Sequence, residues 1–138
     1  MRRAKRSRAR SSPSLAQRDG QVLSFGTPGG DQQDQWSLVF FLHHVLFEQN
    51  LQAAIDLPMF HSNHFPSSFY PRRAKPLNVE LEARFAPAVV DELRERGHDV
   101  DVKDEWSLGR LSAASRNADG TLRAAANPRG MQGYAVGR

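Results

Sequence analysis

The segment Gly26-Thr27-Pro28-Gly29-Gly30 constrains this chain more than any other. It follows the short run Gln21-Val22-Leu23-Ser24-Phe25 and precedes the long run from Trp36 to Phe47, which is apolar on nearly every side. Pro28 cannot continue a strand ladder, and the two glycines free the backbone to turn. The pattern predicts a strand, a forced break, and then a largely buried helix from Asp31 to about Asn50. Asp31 is placed to cap that helix, and acidic groups in its first turn suit the helix dipole. A glycine pair at a helix entrance can turn backbone N–H groups toward a bound group, with no Cβ in the way. Such amides can form an oxyanion hole. Spacing alone fits a plain turn as well. The segment is not a phosphate loop, because the Gly-Lys-Ser/Thr ending is missing.

The rest of the chain reads as α+β, with two hairpins and about three helices. Asp19-Gly20 and Asn117-Ala118-Asp119-Gly120-Thr121 each separate short apolar runs, a hairpin signal. Leu51 to Leu57 fits a short helix ended by Pro58. Residues 59–77 read as irregular. Asn78 to Glu82 and Asp99 to Lys103 alternate like half-buried strands. Between them, Pro87 to Arg96 forms an amphipathic helix on Val89, Val90 and Leu93, with Gly97 after its end. The tail from Asn127 to Arg138 reads as irregular.

The formal charge of +4 is misleading. Arg2, Arg3, Lys5, Arg6, Arg8 and Arg10 hold six of the nineteen basic residues; without them thirteen basic face fifteen acidic. Residues 1–11 therefore read as a basic disordered arm, and residues 12–138 as the body. Nucleic acid is not an expected partner of the body, and only the arm could serve as a binding patch. No apolar stretch is long enough to cross a bilayer. No apolar region follows the basic residues, so a signal peptide is not expected and a cytoplasmic location is the default.

Cysteine is absent, which excludes thiolate zinc sites and cysteine nucleophiles. His61-x-x-His64 lacks a third ligand nearby, so no metal is expected there. His43 and His44 fall inside the apolar helix and read as hydrogen-bonded packing residues. Asp99, Asp101 and Asp104 read as an exposed face rather than a calcium loop. Thr27 and Thr121 are the only threonines, and no serine sits in a Gly-x-Ser-x-Gly elbow.

The spaced elements from Ser12 to Arg138 resemble the C-terminal part of the small subunit of the gamma-glutamyltransferase (gamma-glutamyltranspeptidase) family. They are Ser12-Pro13-Ser14 leading to Asp19-Gly20, Gly26-Thr27-Pro28-Gly29-Gly30, Asn50-Leu51-Gln52-Ala53-Ala54-Ile55-Asp56-Leu57-Pro58-Met59-Phe60-His61, Asp119-Gly120, Ala126-Asn127-Pro128-Arg129 and Gly133-Tyr134. Gly29-Gly30-Asp31-Gln32-Gln33-Asp34-Gln35-Trp36 resembles a bacterial branch of that family. The resemblance implies a partial four-layer αββα sandwich of the N-terminal nucleophile hydrolase type. It implies that Gly29 and Gly30 are the oxyanion-hole glycines, and that no metal or organic cofactor takes part. In the complete enzyme a threonine nucleophile attacks a gamma-glutamyl or related amide.

This chain departs from that pattern. The nucleophile segment and the large subunit with its substrate-binding arginine have no match here, and the usual paired serines fall at Ala9 and Arg10. Neither Thr27 nor Thr121 is suited to replace the nucleophile. The expectation is a family fragment, inactive by itself. Two alternatives stand beside it. One is a split enzyme whose large-subunit and threonine-bearing part is a separate chain; the other is a non-catalytic module that binds through its Arg-rich arm.

Overall fold

The computed structural model describes residues 13–129 and 133–136, so the basic arm 1–11 lies outside the described residues. Among the described residues, seven strands form two sheets. The first sheet has the order β1-β2-β6-β7, built from β1 (Ser14–Arg18), β2 (Gln21–Gly26), β6 (Ser112–Arg116) and β7 (Leu122–Ala126). All of its pairings are antiparallel. The second has the order β3-β4-β5, from β3 (Phe60–Ser62), β4 (Asn78–Glu82) and β5 (Asp99–Lys103). The helices are α1 (Gln33–Val45), α2 (Leu51–Asp56) and α3 (Pro87–Glu95). A single 3₁₀ turn, Gly30–Gln32, leads into α1.

Local chemistry accounts for most of these boundaries. Asp19 and Gly20 both take positive φ, 48° and 77°, the geometry of a two-residue turn whose twist matches the strands it joins. Asn50 caps α2 by accepting a hydrogen bond from the Ala53 amide at 2.9 Å. Pro87 opens α3, where its missing N–H has no partner to lose. β4, α3 and β5 form a βαβ unit, since β4 and β5 run parallel.

The main core lies between the first sheet and the helices α1 and α2. Leu23, Phe25, Ala113 and Ala125 from the sheet meet Phe40, Leu51, Ala54 and Ile55 from the helices, with Met59, Leu108 and Leu111 completing the cluster. Phe40 and Phe41 both pack on Phe25, with ring centroids 5.2 and 5.9 Å away.

Four expectations are corrected. The helix expected from Asp31 to Asn50 begins at Gln33 and ends at Val45. It is not buried all round: Gln33, Ser37 and Phe40 are buried, whereas Leu38, Leu42, Val45, Leu46 and Phe47 remain exposed along and beyond it. Residues 59–77 are not wholly irregular, because Phe60–Ser62 pairs with β4. In α3 only Val90 is buried, and Val89 faces solvent, because the helix lies on the second sheet over a narrow strip.

β4 also departs from simple alternation. Its polar ends Asn78 and Glu82 are fully buried with Leu81. Each is saturated with hydrogen bonds, which is what makes buried polar groups tolerable. Asn78 Nδ2 donates to the Asp99 backbone carbonyl and side chain at 3.1 Å and to Asp101 at 3.2 Å. Glu82 accepts from the Met59 and Leu108 amides, both at 3.1 Å, and pairs with Arg129.

Candidate active site

The glycine pair sits where β2 ends and the 3₁₀ turn begins. Gly29 has φ +136° and Gly30 φ +76°, conformations that L side chains rarely adopt. A Cβ on Gly29 would lie 2.8 Å from Cζ3 of Trp36, and one on Gly30 would lie 3.2 Å from the Phe69 ring. Torsion favours glycine at both positions, and at Gly29 a side chain would also have to displace Trp36. The first amides of a helical segment have no intrahelical acceptor. Thr27, just before the pair, is buried, and its hydroxyl donates to the Pro28 carbonyl at 2.8 Å.

Two polar connections fix the start of α1 against the second sheet and its preceding loop. Gln35 behaves like a strand neighbour: its Oε1 accepts from the Ser62 amide at 2.8 Å and its Nε2 donates to the Ser62 carbonyl at 2.9 Å. Contrary to the sequence expectation, Asp31 does not cap the helix. Its carboxylate instead accepts from the Ser67 hydroxyl at 2.7 Å, the Ser68 amide at 2.9 Å and the Ser68 hydroxyl. Those donors, led by the Ser68 hydroxyl, hold the Asp31 carboxyl below its ordinary range. The loop they belong to carries Phe69, whose ring covers Gly30.

The histidines separate. His61 is buried, 3.5 Å from Glu80, with Trp36 edge-on at 5.5 Å. Burial is the main force holding its imidazole below the ordinary value; Glu80 opposes this and Lys103 adds to it. His64 instead accepts from the Leu77 amide at 3.0 Å, so it does not join His61. His44 contacts the Gln49 carbonyl at 2.7 Å and stacks on Phe40, a packing role. His43 packs against Phe47. Among the described residues no three His, Cys, Asp or Glu side chains gather as a metal site, and no helix is long and apolar enough to cross a membrane. Thr121 lies in the exposed turn between β6 and β7.

Grooves of about 810 and 470 Å³ flank the first sheet. The smaller one reaches Thr27 and Pro28, and neither is lined by Gly29 or Gly30. The residues that sequence reasoning missed are Asp31 as a loop tether, Gln35 as a strand mimic, Phe69, and the Glu82–Arg129 pair. A polar residue directly after Gly-Gly was the only local signal for the first.

A strand, a left-handed glycine pair and a helix, set in a two-sheet α+β frame, define part of an N-terminal nucleophile hydrolase sandwich, and solved gamma-glutamyltranspeptidases share this fold. The family profile described as gamma-glutamyltranspeptidase matches residues 1–137, and the chain belongs to that family. The oxamate amidohydrolase proenzyme of Klebsiella pneumoniae is 35% identical over 121 residues, covering 86% of this chain and 22% of the relative. The solved structure of LmbA2991HD superposes with a TM-score of 0.87 at 57% identity, over 91% of this chain and 23% of that one. Gamma-glutamyltranspeptidase from Pseudomonas nitroreducens, complexed with L-DON, gives a TM-score of 0.73 at 26% identity, over 100% of this chain and 67% of that one. The chain thus spans less than a quarter of the first two relatives.

Proposed function

We propose that these residues supply the electrostatic half of an acyl-transfer site that cleaves an amide, with Gly29 and Gly30 as the oxyanion hole. The observation that carries this reading is the glycine pair itself, held at positive φ between β2 and α1 in a chain of this family. In the complete enzyme a threonine attacks the carbonyl of a gamma-glutamyl or related amide. Negative charge builds on the carbonyl oxygen, and backbone amides at the helix entrance stabilise it. The amine or ammonia then leaves, and water or an amine acceptor releases the acyl group. The threonine comes from outside these 138 residues. Thr27 is buried with its hydroxyl engaged, and Thr121 lies in an exposed turn where its amide and side chain are both hydrogen-bonded to Asp119.

The test is turnover of gamma-glutamyl-p-nitroanilide and of oxamate by the 138-residue chain. No product above a heat-inactivated control is expected. Turnover that survives purification and disappears in Thr27→Ala would overturn the division of labour.

A further inference from the structure

The loop between β3 and β4 carries three exposed aromatic side chains, Phe65, Phe69 and Tyr70. Of these, Phe69 is the one whose ring a Cβ on Gly30 would meet, and an exposed apolar group at such a place is available to a ligand or another chain. This loop is also well tethered. The Ser67 amide donates to the Arg73 carbonyl at 2.9 Å, the Arg72 amide to the Phe69 carbonyl at 2.6 Å, and the Phe69 amide to the Ser67 hydroxyl at 3.1 Å. Asp31 joins the same turn to the helix entrance through Ser67 and Ser68. The ring thus held stands where a Cβ on Gly30 would come within 3.2 Å of it.

We propose that in the complete enzyme Phe69 forms one wall of the acyl site beside Gly30 and favours compact acyl groups, and that Asp31 is the positioning residue that keeps it there. The proposal rests on the oxyanion-hole reading of Gly30. Asp31 touches no reacting atom; it acts through the serines. A wall of this kind discriminates by size. A single methylene in a pocket is worth about 10–200-fold in specificity, so removing a phenyl ring should exceed tenfold.

The experiment uses a complete family enzyme carrying this segment, with two primary amides that share ammonia as leaving group. Oxamate is the compact one, and L-glutamine carries the gamma-glutamyl group. Phe69→Ala should shift the ratio of kcat/KM toward L-glutamine by more than about tenfold; Kd from calorimetry replaces kcat/KM where turnover is too slow. Asp31→Ala should shift it in the same direction and speed hydrogen exchange at the Ser68 amide. Asp31→Asn, which keeps an acceptor oxygen, should restore part of both. Gly30→Val should lower kcat on both amides, whereas Phe69→Ala should move only their ratio, so an unaffected kcat in Gly30→Val strikes the oxyanion-hole reading and an unchanged ratio in Phe69→Ala strikes the wall. An unchanged ratio in a folded Phe69→Ala enzyme overturns the wall. An unchanged ratio in Asp31→Ala, or unchanged Ser68 exchange, overturns the positioning role. A Phe69→Ala enzyme that loses stability but keeps its selectivity overturns the wall too, since the ring is then a packing residue.

Discussion

Arg129 and Glu82 form a fully buried ion pair that fastens the C-terminal segment to the second sheet. Arg129 Nε and Nη2 reach the two carboxylate oxygens at 2.8 and 2.9 Å. The same guanidinium donates to the Ile55 carbonyl at 2.7 Å and the Leu57 carbonyl at 2.8 Å, which ends α2 in the same place. Arg84 lies 3.6 Å from Glu82 and covers Trp106, its guanidinium carbon 3.4 Å from the ring centroid. Three separate stretches of chain are thus drawn to one carboxylate.

Removing one member of a buried pair leaves the other charge uncompensated, which typically costs about 3–5 kcal/mol. Arg129→Met is therefore expected to lower the unfolding free energy by about that amount in urea titration. A loss below about 1 kcal/mol would show that water or Arg84 substitutes for the missing guanidinium.

His61 gives the fold an acid sensitivity of known sign. Burial depresses its pKa, so the folded state holds the imidazole neutral while the unfolded chain protonates near the ordinary 6.5. As pH falls through 6.5 toward the folded value, the unfolded state binds more protons and stability drops. Burial shifts His43 in the same direction. Urea midpoints should fall between about pH 7.5 and about pH 5.5, and His61→Gln should reduce that fall. An identical slope in the variant would assign the sensitivity elsewhere.

The outer face of α1 leaves Leu38, Leu42 and Val45 exposed at helical spacing, continued by Leu46 and Phe47. An apolar stripe of this kind drives association. The 138-residue chain is expected to self-associate in sedimentation velocity. Leu38→Lys with Leu42→Glu should shift it toward monomer with unchanged urea stability. A wild-type chain that stays monomeric at high concentration contradicts this.

What the sequence revealed follows the reach of each interaction. The Asp19-Gly20 turn, the Pro87 start and the break at Gly29-Gly30 are local, and each was legible; the Asn50 cap is local too but reads as the end of the preceding helix. The single apolar run of α1 could not reveal that only one side meets the sheet. Asp31 read as a cap because its true partners, Ser67 and Ser68, lie 36 and 37 residues away. Glu82 read only as one residue of an alternating, half-buried strand, because Arg129 is 47 residues distant. The three-residue strand β3 was hidden among prolines and aromatics, since its pairing with β4 rather than its own propensity creates it. The resemblance identified the glycine pair; that Trp36 and Phe69 crowd those two positions was visible only in three dimensions.

The most direct measurement is steady-state kinetics of Gly30→Val in a complete enzyme carrying this segment, with thermal unfolding followed in parallel. Valine keeps the backbone N–H but is strained at the φ of +76° found here, so the amide should turn away from the oxyanion; losing one such donor costs on the order of 10²–10³ in kcat, about 3–4 kcal/mol of transition-state stabilisation. The account predicts a fall of that size in kcat, with KM changed far less, because the amide acts on charge that develops only during attack. A variant that unfolds normally and keeps a near-parental kcat would contradict it: the glycine pair would then be a turn and nothing more.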